Sequence, residues 1–255
     1  MLLALAACRP DAIQLRYGFD AGTRIAYRMT ANADATWDIG GQGGGSYSVS
    51  FDVVETIKTV EGDDIIVSVE MTPTEVVERG LPSPGAEQRS FSLRMGRGGE
   101  VKEVLEVDGV EATALDPDEL VFIGTYRPPL SQDAVGLGDS WDSEQQVQLE
   151  SVFQQVVTTG TLDRLDRDGD GRVAEINYTG KGPLNWTTTL PQGEADLTGS
   201  AETKTQALFD IDAGALREAT SSMTGTFEVR VVPGGDRPPI IGTLELSLDL
   251  HVTRR

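Results

Sequence analysis

An all-β fold built from antiparallel sheets is predicted by three features of this sequence. Apolar and polar residues alternate over long stretches, glycine-rich turns separate those stretches, and one short segment alone carries helix signals. The expected architecture is two duplicated β units, forming a half-barrel or a sandwich, with one short helix. The chain has 255 residues and a single cysteine. It can form no intrachain disulfide, and its length is sufficient for a core to hold the fold.

The first expected strand is Arg24 to Trp37, with Ile25, Tyr27 and Met29 on one face. Gly40 to Gly45 reads as a flexible loop. Ser46 to Val60 presents Val49, Phe51 and Val53, and Asp64 to Met71 presents Ile65, Val67 and Val69. Glu61-Gly62-Asp63 between them is a turn signal, so the two read as a hairpin. Arg89 to Met95 and Val101 to Val107 form a second hairpin around Gly96-Arg97-Gly98-Gly99. Asp116 to Ile123 is the helix candidate, with Asp116 as N-cap and Pro117 in the first helical position. Thr161 to Leu165 and Arg172 to Tyr178 read as strands flanking a turn. Near the C-terminus, Phe227, Val229 and Val231 alternate with charged residues. Leu244, Leu246, Leu248, Leu250 and Val252 then alternate with polar ones.

A weak internal repeat accompanies these elements. Gly22-Thr23-Arg24-Ile25 matches Gly138-Asp139-Ser140-Trp141, and Gly99 to Glu103 matches Gly214 to Glu218. The expected first unit spans residues 13–126 and the second 136–255. Tyr126-Arg127-Pro128-Pro129-Leu130 reads as the linker between them.

Charged residues make up 24% of the chain and the net charge is −20. Nucleic-acid phosphates would repel such a surface, so no nucleic-acid partner is expected. Anionic lipid head groups would repel it too, so membrane attachment needs a source other than charge. The N-terminus offers one. Leu5-Ala6-Ala7-Cys8 resembles the lipobox of bacterial lipoproteins. The resemblance implies that Cys8 is acylated, that residues 1–8 are a signal segment ending in the lipobox, and that residues 9–12 are a tether. It also implies an exported protein anchored to the outer face of a bacterial membrane. The apolar run before Cys8 is short and lacks a basic region, which predicts that the natural start lies upstream.

Asp166-Arg167-Asp168-Gly169-Asp170-Gly171 resembles the start of an EF-hand calcium loop. Asp166, Asp168 and Asp170 would supply oxygen ligands at alternate positions. The twelfth loop position is Asn177 rather than a bidentate glutamate, so the segment reads either as an Asp- and Gly-rich hairpin turn or as a weak calcium site. No other cofactor is expected. Gly138-Asp139-Ser140 resembles the nucleophile block of one class of lipases and esterases, but a serine nucleophile needs a base. The only histidine, His251, has Leu248 where those enzymes carry aspartate and alternates onto a polar strand face. The chain is therefore not expected to be an enzyme.

The lipobox followed by a β-rich region resembles the lipid-carrying lipoproteins that curl an antiparallel sheet around an apolar cavity. That resemblance implies binding of a lipid or hydrophobic small molecule, with Ile25, Tyr27, Phe51, Val53, Leu246 and Leu248 as candidate lining residues. The same side chains would equally fill a solid core. In that case the expected partner is a protein of the cell envelope.

Overall fold

The alternation extends into strands of up to 20 residues. The computed structural model describes residues 12–18, 20–79, 86–114, 126–149, 152–168, 171–190, 193–233 and 238–255. The first six strands are β1 (Arg24–Asp38), β2 (Gln42–Glu61), β3 (Asp64–Arg79), β4 (Arg89–Gly96), β5 (Val101–Val107) and β6 (Val110–Glu111). A single 3-10 turn, Ala112–Ala114, follows. The second six are β7 (Ser140–Leu149), β8 (Val152–Asp168), β9 (Gly171–Leu190), β10 (Gly193–Asp210), β11 (Ala215–Val232) and β12 (Ile240–Arg254). The expected helix at Asp116 to Ile123 lies outside the described residues, as does Cys8.

All twelve strands join one antiparallel sheet, in the order β6-β5-β4-β3-β2-β1-β12-β11-β10-β9-β8-β7. Every hairpin pairs neighbours, and β1 pairs β12 in the middle. The edges, β6 and β7, do not pair with each other, so the sheet is not closed into a barrel. The glycine-rich segment is only partly a loop, because β2 begins at Gln42. Gly43 faces Trp37 in the register, and a Cβ there would sit 2.4 Å from the indole. The aromatic ring covers the glycine and replaces the side chain it lacks. Trp141 lies over Gly160 in the same way.

One end of the sheet is curled around two crossing segments. Residues 13–18 and 126–139 run across the inward face at the end that holds the β2–β3, β4–β5 and β10–β11 turns. A single peptide group in the second segment shows how tight the curl is. The Leu130 N–H donates to Gly98 O at 2.8 Å, in the β4–β5 turn. The Pro129 carbonyl of the same peptide accepts from Trp141 Nε1 on β7 at 3.4 Å. β4 and β7 stand third and twelfth in the sheet, nine spacings apart. On a flat sheet that would be about 43 Å at ~4.8 Å per strand. The first segment gives the same message: Tyr17 N–H donates to Arg97 O at 2.7 Å, and Gly18 N–H to Gly214 O at 3.1 Å. Consecutive residues thus join two turns that are far apart along the sheet.

The corners that begin β1 and β7 have the same bonding. Gly22 N–H donates to Ile57 O, and Ile57 N–H to Thr23 O. Gly138 N–H donates to Leu162 O, and Leu162 N–H to Asp139 O. Both glycines have positive φ, and register irregularities follow both Ile57 and Leu162.

Candidate functional site

The inward face divides into a plugged end, an open middle and a far end. At the plugged end the crossing segments bury Leu15, Tyr17, Tyr126, Leu130 and Val135 against Ile25, Tyr27, Val53, Ile57, Leu162 and Phe209. The Tyr17 ring meets Phe209 edge-on at 5.2 Å. Inside this core lies a buried ion pair. Glu55 occupies an inward position of β2, opposite Ile25, and is fully buried. Arg127 Nε donates to Glu55 Oε1 at 2.8 Å, and Arg127 Nη2 donates to Oε2. Tyr126 Oη also donates to the carboxylate. The guanidinium lies 5.0 Å above the Tyr17 ring, whose hydroxyl donates to Pro128 O at 3.2 Å.

Burial pushes the Tyr17, Tyr27 and Tyr126 hydroxyls above the ordinary tyrosine range, and the Glu55 carboxylate pushes them further. Burial works against the Arg127 charge, but Glu55 and the tyrosine oxygens outweigh it and hold the guanidinium protonated. Removing one partner from such a pair leaves an uncompensated buried charge. The cluster therefore acts as a latch that fixes the 126–139 segment to β2.

Beyond the plug, the inward face opens. Ala31, Ala33, Leu248, Met223, Thr203 and Gly180 are half-buried. They occupy the same face as the core residues by register. The side chains are small across this middle stretch, and it carries hydroxyl pairs: Thr205 Oγ1 donates to Ser221 Oγ at 2.8 Å, and Ser143 Oγ lies 2.9 Å from Thr158 Oγ1. At the far end the face is apolar again. Phe227 meets Trp186 edge-on at 4.8 Å, with Leu184, Leu197, Val229, Val231 and Leu244 around them.

The six candidate lining residues all fall on this face but in different parts of it. Ile25, Tyr27 and Val53 lie beneath the plug and are no more than 8% exposed. Phe51 is half-buried at its margin, and Leu246 and Leu248 belong to the open part. Asp166 and Asp168 stand on the tail of β8, paired with Arg164 and Arg217 respectively. Asp170 lies outside the described residues. His251 is exposed on the outer face, between Thr220 and Thr253. Ser140 Oγ lies 2.9 Å from Thr161 Oγ1, where β7 begins.

The residues expected to form a linker instead enter the core, and Glu55 was not singled out among 41 acidic residues. Its parity carries the signal that would have found it. Val49, Phe51, Val53, Glu55 and Ile57 share one face, and an acid in that series is out of place unless it is paired.

Two hollows lie on the opposite, outer face. One, of about 430 Å³, is bordered by Asp34, Thr36, Glu202, Thr224, Glu245 and Ser247. The other, of about 480 Å³, is bordered by Asp38, Thr226, Glu228 and Thr243. Both carry carboxylates and hydroxyls, beside Leu246 in the first and Phe227 and Ile241 in the second. Among the described residues, no group of three or more His, Cys, Asp or Glu could hold a metal ion. No helix among them is long and apolar enough to cross a membrane.

No family model matches the chain, and no curated protein matches it. Among solved structures, the crystal structure of Pseudomonas aeruginosa OccK11 (OpdR) is similar at 10% identity with a TM-score of 0.24. That comparison covers 94% of this chain and 100% of the other.

Proposed function

We propose that this chain is an exported lipoprotein, anchored through acylated Cys8, whose duplicated β units form a half-barrel that binds a lipid or other hydrophobic ligand without catalysis. The observation that carries the reading is the half-exposed middle of the inward face. A curled sheet with an apolar inner side normally fills it with its own side chains, and here the two ends are filled while the middle is not. Leu246, Leu248, Met223 and Phe51 present apolar surface where nothing in the described residues covers it fully. An exposed apolar stretch within a concave face is what a hydrophobic ligand uses. The duplication is supported by the matching glycine corners at Gly22 and Gly138. It is also supported by Gly99 and Gly214, positive-φ turn residues that both meet the 13–18 segment.

Native mass spectrometry of residues 9–255, purified from a bacterial host, tests the reading. Extra mass that extracts into organic solvent is the expected result. A bare mass matching the chain would overturn it in favour of a second reading, a lipoprotein that only contacts an envelope protein. The filled core around Ile25, Tyr27 and Val53 and the carboxylate-rimmed outer hollows favour that second reading.

A further inference from the structure

We infer that the plugged end of the sheet is the surface that rests on the anchoring lipid bilayer, and that the open part of the inward face is held away from it. The inference rests on the acylation of Cys8 proposed above.

Tether length and exit point set this orientation. Ile13 is fixed to the plug by two backbone hydrogen bonds, from its N–H to Val135 O at 2.8 Å and from Val135 N–H to its own carbonyl at 2.9 Å. Five residue steps separate Ile13 from Cys8, so the acylated cysteine can be no more than about 18 Å from the plug at ~3.6 Å per residue. The strands that flank this end are much longer than the tether. β1 and β12 have 15 residues each, or about 50 Å at ~3.3 Å per residue. The far end can approach the same bilayer only if the domain lies down on its side.

Surface chemistry opposes lying down. The outer face of the central strands carries Asp34, Glu202 and Glu245 around a hollow, and these carboxylates disfavour contact with a lipid surface. At the plugged end, Leu137 stands two residues past Val135 and is 64% exposed, an apolar side chain beside the tether exit. The half-exposed guanidinium groups of Arg16, Arg172 and Arg217 on the same end are paired with Asp63, Asp212 and Asp168, so charge there is matched locally. Ile241, 67% exposed, is on the opposite end. Upright anchoring therefore directs the far end outward, and a bound hydrophobic ligand would be exchanged on the side away from the anchoring membrane.

Acylation consumes the only native cysteine, so one introduced cysteine can be labelled uniquely. Full-length acylated Leu137→Cys and Ile241→Cys variants would be labelled with bimane and reconstituted in phosphatidylcholine vesicles carrying brominated acyl chains. Both positions are exposed, so neither substitution disturbs the core. The expected result is that the label at position 137 loses most of its emission while the label at 241 keeps its own. Equal quenching at both positions, stronger quenching at 241, or quenching at neither in protein that floats with the vesicles would overturn the orientation. Protein that does not float and carries an unmodified Cys8 by mass would instead overturn the acylation on which it rests.

Discussion

The plugged end and the middle of one apolar face are built to different rules. At the plugged end, segments 13–18 and 126–139 cover it, and most of the largest fully buried side chains gather there, Tyr17, Tyr27, Phe209, Leu15 and Met29 among them, while Phe227 is buried at the far end. Towards the middle, the same strands turn small residues inward, with Ala31, Ala33, Thr203 and Gly180 half-buried. Strand length and register are continuous through both regions, so secondary structure does not distinguish them. The crossing segments do. The plugged end gains its packed interior from segments held inside the curl, and the Glu55–Arg127 pair holds one of them there.

The contrast is broken most severely by removing the latch. Arg127→Ala leaves Glu55 charged and buried without its partner, and is expected to cost about 3–5 kcal/mol in urea unfolding. The double variant Glu55→Leu/Arg127→Met is expected to recover most of that loss, because the penalty comes from the orphaned charge. Next is the apolar part of the plug. Leu15→Ala should cost about 2–5 kcal/mol, because Leu15 is fully buried. Leu248→Ala, on the half-exposed middle, should stay below about 1 kcal/mol by the burial it loses.

Alkaline pH sharpens the same comparison. Burial raises Tyr17, Tyr27, Tyr126 and Tyr178 above the ordinary tyrosine range, and all four lie in the plugged core. A raised folded-state value means that their stabilisation is intact below the unfolded value near 10 and is lost as pH climbs above it. The absorbance of ionised tyrosine should therefore rise cooperatively with unfolding above about pH 10, while the fold holds between pH 7 and 9. Gradual, non-cooperative ionisation of these four residues in folded protein would show that the plug is not sealed.

Two glycines give the finest test. Gly214 has φ +60°, and a Cβ there would lie 2.6 Å from Gly18 N. Gly22 has φ +89° with open space around it. Gly22→Ala should cost about 1–2 kcal/mol from backbone conformation alone. Gly214→Ala should cost more, because the 13–18 segment must also move away.

The strands were legible because alternation is local. The expected Val101 to Val107 strand is found without change, and Arg24 to Trp37 extends by one residue to Asp38. Asp64 to Met71 continues to Arg79, where both faces are exposed and the alternation gives no cue. A single sheet, rather than two packed sheets, depends on β1 pairing β12, a contact between the ends of the chain that no local pattern reports. The crossing segments were illegible for a related reason. Tyr126-Arg127-Pro128-Pro129-Leu130 has the composition of a linker, and what buries it is the curvature of strands far away in sequence. Of the candidate lining residues, parity assigned the face correctly for all six. It could not say which three the plug covers, because that is fixed by a segment crossing perpendicular to the strands.

Native mass spectrometry of the wild type beside Leu248→Glu tests whether the open middle of the inward face holds a hydrophobic ligand. Leu248 is half-buried in the open middle, so the substitution places a charge where the ligand would lie and spares the latch. An organic-extractable adduct is expected on the wild type and not on the variant, with both proteins folded. A bare wild-type mass, or an adduct retained equally by Leu248→Glu, would contradict it.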